Sequence, residues 1–222
     1  MVVFQVRLLE GHLFLTLEDG LWLVDTGSPA SFGGTGGVCM VGSRFQMAHS
    51  HAGLDAGVLS GLVGVPCAGL LGADILNRFD ILFDVAAGNI TLAESEILHE
   101  GPAVGLDAFM GIPIVVARIG GGEHRMFLDT GAQVSYFQPA SLGNFPPLGT
   151  VDDFYPGFGK FATETHEVPV EIGARMFHLR CGRLPGLLGM TLALAGADGI
   201  IGNAILLDRV VGYFPRRGLL VL

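Results

Sequence analysis

The chain has 222 residues and half of them are hydrophobic, which is enough for a buried core and excludes a disordered protein. The formal net charge of −9 leaves no basic stripe to neutralise phosphates, so nucleic-acid partners and anionic membrane surfaces are disfavoured. Glycine occurs 35 times without a collagen period, which is typical of an all-β protein with many tight turns. The three cysteines fit a reducing compartment, and the start of the chain has no basic run like that of a signal peptide, so a cytoplasmic location is expected.

The first motif along the chain is LWLVDTGS at 21–28, in which an apolar run ends on Asp25. A second motif, RMFLDTGA at 125–132, repeats this arrangement around Asp129. In both places a strand and a Gly-containing turn precede the motif, and a serine and an aromatic residue follow it. Because the same unusual placement of an acid occurs twice, we predict that the two acids meet in the folded protein.

The segment at 56–73, AGVLSGLVGVPCAGLLGA, passes eighteen residues without a charge, which is long enough for a membrane helix. Its five glycines and Pro66 make a poor helix composition. We therefore predict short buried strands separated by turns, so that membrane association is not expected. A membrane-tethered protein that uses this run stays open as an alternative.

Two further pairs of segments extend the repeat. VGSRF at 41–45 resembles IGARMF at 172–177, each a hairpin signal around a glycine. AGLLGADIL at 68–76 pairs with DGIIGNAIL at 198–206, and this match continues without a gap to the end of the chain. We predict two homologous halves, 1–96 and 105–222, joined by a connection at 97–104.

The spacing between equivalent residues grows from 104 at the two acids to 131 at the hairpins, which predicts an insertion in the second half. The inserted sequence includes TVDDFYPGFGKFATETHEV at 150–168, where a Pro-Gly turn separates two alternating stretches, the signature of a long hairpin. The first half has only GGTGGV at 33–38 in that place. We therefore expect a flap-like hairpin in the second half and none in the first.

These motifs resemble the aspartic peptidases of the pepsin and retroviral-protease type. The resemblance rests on two hydrophobic-hydrophobic-Asp-Thr-Gly-Ser/Ala motifs, each followed by a hydrophobic-hydrophobic-Gly element, LLG at 70–72 and IIG at 200–202. It implies an all-β, two-lobed acid-protease fold, with two homologous β-barrel halves and a cleft between them. The chain departs from the family in its short length and in its single flap, because pepsin-like enzymes carry a flap in the first half and retroviral dimers carry two.

The chemistry of such a pair explains why the acids should meet. Two carboxylates about 3 Å apart cannot both ionise, so one acts as a base on a water molecule and the other donates a proton. We predict an aspartic endopeptidase in which Asp25 and Asp129 are catalytic, a monomer supplies both, peptides or unfolded proteins are the substrates, and no cofactor is needed. A non-catalytic peptide-binding or scaffolding module on the same fold stays open as the alternative.

The residues that follow each acid are predicted to support it. By family resemblance, Thr26 and Thr130 bond across the lobe interface. Gly27 and Gly131 leave room beside the carboxylates.

Ser28 and Ala132 break the symmetry of the pair. The Ser28 hydroxyl is predicted to donate to Asp25 and favour its charged form, which Ala132 cannot do for Asp129. This predicts that Asp25 is the base and that Asp129 carries the proton.

The hairpin supplies the predicted substrate contacts outside the acid pair. Tyr155 is the candidate aromatic contact, with Gly157, Phe158 and Gly159 near the tip. A surface loop whose aromatic residues pack down is the alternative for 154–161. His49 and His51 have no accompanying cluster of ligands, so no metal site is predicted.

Overall fold

The computed structural model describes residues 1–34, 36–155 and 158–222. Strands dominate this part of the chain and form two lobes joined by a shared sheet. The predicted all-β, two-lobed fold is confirmed.

The first half contains eleven strands among its described residues. They are β1 (Val2–Leu9), β2 (His12–Leu17), β3 (Gly20–Val24), β4 (Phe32–Gly33), β5 (Gly37–Met40), β6 (Ser43–Gln46), β7 (Ser50–His51), β8 (Leu54–Asp55), β9 (Gly69–Leu71), β10 (Asp80–Asp84) and β11 (Asn89–Ala93). Helix α1 (Ala56–Val63) precedes β9, and the short helix α2 (Ala73–Leu76) follows it.

The second half contains ten strands among its described residues. They are β12 (Ala103–Phe109), β13 (Ile112–Ile119), β14 (Gly122–Leu128), β15 (Ser135–Phe137), β16 (Pro147–Tyr155), β17 (Gly159–Ile172), β18 (Arg175–Gly182), β19 (Gly199–Ile201), β20 (Val210–Phe214) and β21 (Leu219–Val221). Helix α3 (Gly186–Leu194) lies between β18 and β19, and 3₁₀ turns span Ala140–Asn144, Asn203–Leu206 and Pro215–Arg217.

An antiparallel sheet of six strands joins the halves, in the order β1, β11, β10, β20, β21, β12. At the centre of the sheet Leu82 pairs with Gly212, the equivalent position in the second half, 130 residues further along the chain. Each half thus contributes three strands in the same arrangement, and the pseudo-two-fold axis passes between β10 and β20. The internal repeat read from the sequence is the repeat that builds this sheet.

An ion cluster around one buried acid links the two halves at this sheet. The carboxylate of Asp80 in the first half is fully buried and accepts hydrogen bonds from Arg216 at 3.0 Å and from Arg217 at 2.6 Å. The backbone N–H of Ile97 donates to the same carboxylate at 2.9 Å. Because a buried charge is costly unless it is paired, the two arginines and the acid must be retained together.

The apolar run at 56–73 differs from its prediction. Residues 56–63 form helix α1 rather than a strand, and only Gly69–Leu71 of this run is a strand. The Asp55 carboxylate accepts from the Val58 N–H and caps the helix, which ends at Gly64 in the left-handed conformation. Leu59 and Val63 are one turn apart and pack into the first lobe, which stabilises the helix despite its glycines. No helix among the described residues is both long and apolar enough to span a membrane.

The long hairpin of the second half is formed by β16 and β17, which pair from Pro147 with His166 to Tyr155 with Gly159. In the first half, the described residues between β4 and α1 form two short hairpins, β5–β6 and β7–β8. Neither approaches the length of β16–β17. The connection between the halves ends earlier than the predicted boundary, because β12 begins at Ala103.

Candidate active site

The two acids stand at equivalent positions, each directly after a buried strand. Strand β3 runs parallel to β9, and the Asp25 N–H donates to the Leu71 carbonyl at 3.0 Å. Strand β14 runs parallel to β19, and the Asp129 N–H donates to the Ile201 carbonyl at 2.9 Å. The apolar runs that precede the acids therefore serve as the central strands of the two lobes, and each delivers its acid to the same seam.

The serine and the glycine that the sequence places after each acid contact each other. The Ser31 hydroxyl accepts from the Gly72 N–H at 2.8 Å, and the Ser135 hydroxyl accepts from the Gly202 N–H at 3.0 Å. A Cβ at Gly72 would lie 2.8 Å from the backbone of residue 30, and one at Gly202 would lie 2.6 Å from the carbonyl of residue 132. The hydrophobic-hydrophobic-Gly element is thus required because the backbone of the Asp-Thr-Gly loop crosses it without room for a side chain.

Four reciprocal hydrogen bonds tie the two Asp-Thr-Gly loops together. The Thr26 hydroxyl donates to the Leu128 carbonyl at 2.7 Å and accepts from the Thr130 N–H at 3.0 Å. The Thr130 hydroxyl donates to the Val24 carbonyl at 2.7 Å and accepts from the Thr26 N–H at 3.1 Å. Both threonines are buried. This is the cross-lobe bonding that the family resemblance implies, and it holds the loops at a short, fixed separation.

The carboxyl groups of Asp25 and Asp129 are hydrogen-bonded to each other at this seam. Burial raises the pKa of both groups, and the pKa of Asp25 is raised further by the charge of Asp129. A Cβ at Gly27 would lie 2.2 Å from Cγ of Asp129, and one at Gly131 would lie 2.5 Å from Cγ of Asp25. Each glycine therefore makes space for the acid of the opposite half, and the two carboxyl groups lie close enough to titrate as a pair.

The Ser28 side chain does not take its predicted role. Its hydroxyl donates to the Ala30 carbonyl at 2.9 Å, and it is the backbone N–H of Ser28 that donates to Asp25, also at 2.9 Å. The Ala132 N–H donates to Asp129 at 3.2 Å in the same way. The proposed reason for Asp25 being the base is therefore wrong, because the hydrogen bonds to the two acids do not depend on the side chain at the fourth position of the motif.

A cleft of about 340 Å³ opens over the pair of acids, between the lobes. Its walls are mainly apolar and come from both halves: Leu23, Phe32, Leu54, Leu59 and Leu70 from the first, and Ile112, Phe127, Leu184, Leu192 and Ile200 from the second. This cleft suits the apolar side chains of an extended ligand.

The β16–β17 hairpin covers the cleft. Tyr155 lines it, as predicted for an aromatic contact, and burial together with the charge of Asp129 raises the pKa of its hydroxyl. Phe154 also lines the cleft and packs against the first-lobe core, with its ring 6.1 Å from that of His12. Phe158 is 43% exposed and contacts Phe161 instead, and Gly159 begins β17. The predicted contact at Gly157 lies outside the described residues.

Sequence reasoning missed three polar residues that line the cleft. His12 is buried and hydrogen-bonds through Nδ1 to the Gly131 carbonyl at 2.9 Å. Tyr136 is also buried, and its hydroxyl donates to the carboxylate of Asp153 on the hairpin. The aromatic residue after the second motif was visible in the sequence, but its partner on β16 lies 17 residues away and no local pattern indicates the contact.

No set of three His, Cys, Asp or Glu side chains within 1–34, 36–155 and 158–222 is placed to hold a metal ion. His51 lines the cleft at the β7–β8 turn, and His49 lies two residues before it.

No protein-family model matches the sequence, and no curated protein is significantly similar to it. Among solved structures, the chain is similar to the crystal structure of basic 7S globulin from soybean, with 13% identity and a TM-score of 0.49. This similarity covers 99% of the present chain and 93% of the globulin chain.

Proposed function

We propose that the protein is an aspartic endopeptidase whose single chain supplies both catalytic carboxyl groups, Asp25 and Asp129. The observation that carries the proposal is the hydrogen-bonded, half-buried pair of carboxyl groups at the floor of an apolar cleft. Two acids that repel each other and lose hydration lower the stability of the folded protein, so a purely structural role does not explain them. Such a pair can hydrolyse an amide without a metal or a covalent nucleophile.

In the proposed reaction the pair begins with one proton. The ionised carboxylate removes a proton from a water molecule as its oxygen bonds to the carbonyl carbon of the substrate, while the protonated carboxyl group gives its proton to the carbonyl oxygen. In the second step the C–N bond breaks as the amine nitrogen takes the proton of the pair. One hydroxyl of the tetrahedral intermediate gives its proton to the pair as its oxygen forms the new C=O bond, so the pair returns to its singly protonated state. Burial and the charge of Asp129 raise the pKa of Asp25, whereas the hydrogen bond with Asp25 opposes the effect of burial on the pKa of Asp129, and this difference favours a single proton on the pair.

The cleft supports an extended peptide as the substrate. Apolar walls on both sides offer contacts for alternating side chains, and the β16–β17 hairpin covers the chain from above. Phe154 and Tyr155 at the end of β16 would pack on the ligand and keep bulk water from the acids.

The proposal is tested with wild type, Asp25→Asn and Asp129→Asn against a mixed peptide library, with the products identified by mass spectrometry. Asp208→Asn is the matched control, because that acid is paired with Arg209 at the surface, away from the cleft. We expect cleavage by wild type and by the control, and none by either active-site variant. Cleavage that survives Asp25→Asn in a folded protein would refute the proposed mechanism.

The same experiment tests the alternative of a peptide-binding module. Binding of library peptides without cleavage by all the proteins, wild type included, would favour that module over an endopeptidase. The thermal unfolding of each variant is measured in parallel, so that loss of activity is not confused with loss of the fold.

A further inference from the structure

A third carboxylate lines the cleft beside the pair of acids. Asp153 belongs to β16, and its negative charge is close enough to raise the pKa of Asp129. The Tyr136 hydroxyl donates to one oxygen of Asp153, and the Phe154 N–H donates to the other at 2.8 Å. These bonds fix the position of the carboxylate. Other lone pairs of both oxygens stay available to a ligand.

The charge of Asp153 has no cationic partner among the described residues. None of the ion pairs there includes it, and no lysine or arginine is among the residues that line the cleft. Lys160 faces Phe154 across the hairpin, so it lies on the other side of the strand from Asp153. Besides the carboxylates, the charged or chargeable residues of the cleft wall are His12, His51 and two tyrosines.

The surroundings of Asp153 fit a long basic side chain. Phe161 is its partner on β17 and lies on the same face of the hairpin, where its ring is 6.2 Å from that of Tyr136. The methylene groups of a lysine or arginine can pack on these aromatic rings while the cationic end reaches the carboxylate. The charges of Asp153 and of the singly protonated pair both attract a cation into the cleft.

We propose that Asp153 determines specificity, by binding a lysine or arginine side chain of the substrate next to the scissile bond. The position follows from the lining of the cleft, since Asp153 lines the same cleft as Asp25 and Asp129. Tyr136 is the positioning residue that holds the Asp153 carboxylate in place. The position next to the scissile bond rests on the proposed function, whereas the preference for a basic side chain also applies to binding without cleavage.

The test compares peptides that differ only by lysine, glutamine or norleucine at one position, scanned along a sequence that the wild type cleaves or binds. The readouts are kcat/KM for cleavage and the dissociation constant by fluorescence anisotropy. The variants are Asp153→Asn and, as the matched control, Asp152→Asn. Asp152 is an exposed neighbour outside the cleft lining, so its replacement changes the net charge of the hairpin equally.

We expect wild type and Asp152→Asn to prefer lysine over glutamine at one position by about tenfold or more, as for a charge-assisted hydrogen bond. In Asp153→Asn the ratio of the lysine to the glutamine peptide should fall to near one, and this ratio cancels any change in kcat/KM that the two peptides share. Tyr136→Phe should lower the ratio without abolishing cleavage, because the carboxylate remains but is no longer held.

The outcomes separate this inference from the proposed function. Cleavage without a lysine preference, or a preference that survives Asp153→Asn, overturns the role of Asp153 and leaves the endopeptidase intact. Binding that prefers lysine and depends on Asp153, without cleavage of any peptide, supports the role of Asp153 and overturns the endopeptidase. Absence of both binding and cleavage overturns both.

Discussion

Replacement of Gly27 by alanine tests whether the geometry of the two acids, and not only their presence, is required. The new Cβ would lie 2.2 Å from Cγ of Asp129 and 2.4 Å from its nearer carboxylate oxygen. An ordinary contact needs more than 3 Å, so the Asp129 carboxyl group or the Gly27 loop must move by about 1 Å. A displacement of this size in reacting groups costs about 100-fold in rate, and the overpacking costs roughly 1–3 kcal/mol in stability.

The assay is kcat/KM on the best library peptide, with thermal unfolding measured on the same samples. Gly105→Ala is the matched control, because a Cβ there would meet no atom within 4 Å on strand β12. We expect the control to keep its activity and its melting temperature. A folded Gly27→Ala protein that cleaves within about threefold of wild type would refute the reasoning that links the spacing of the acids to catalysis.

Three further predictions concern stability and its dependence on pH. Thr26→Val should lower the free energy of unfolding by about 2–4 kcal/mol in urea denaturation, because two buried partners lose their hydrogen bonds. Thr16→Val is the control and should be neutral, because the buried Thr16 hydroxyl has no partner among the described residues. The folded pair holds its proton at pH values where the unfolded chain has lost it, so wild-type stability falls as the pH rises above the ordinary pKa of an aspartate. Asp25→Asn should therefore have a melting temperature roughly 2–4 °C above that of wild type at neutral pH. This difference should vanish at low pH when both proteins are compared by calorimetry. Asp80→Asn should cost about 3–5 kcal/mol in the same denaturation assay because it leaves two arginines without their buried partner, and a loss no larger than that of the surface variant Asp208→Asn would contradict this.

The features that sequence reasoning predicted are those with a local or repeated signature. The apolar runs before Asp25 and Asp129 indicated buried strands, and the repeat at a spacing of 130 residues indicated two equivalent halves. An alternating pattern around a Pro-Gly turn indicated the hairpin. Each of these signals depends on the order of apolar residues, polar residues and glycines along one short segment, so it can be read before any tertiary contact is known.

The features that only the tertiary structure decided depend on packing between distant segments. Helix α1 forms because Leu59 and Val63 find a lobe to pack against, which composition alone does not reveal. The Ser28 hydroxyl donates to the Ala30 carbonyl and not to Asp25, although both residues are close to it along the chain. Local sequence determines which groups a residue carries, but the register and packing of strands from both halves determine which of them meet.

The cleft illustrates this division most clearly. Two Asp-Thr-Gly triplets are sufficient to predict that a pair of acids exists, because the triplet carries its own strand and turn. The third acid, Asp153, belongs to the β16–β17 hairpin, and the Tyr136 phenol that holds it belongs to a strand of the second lobe. The imidazole of His12 comes from a strand of the first lobe. No sequence period connects these elements, so their meeting is a property of the folded chain alone.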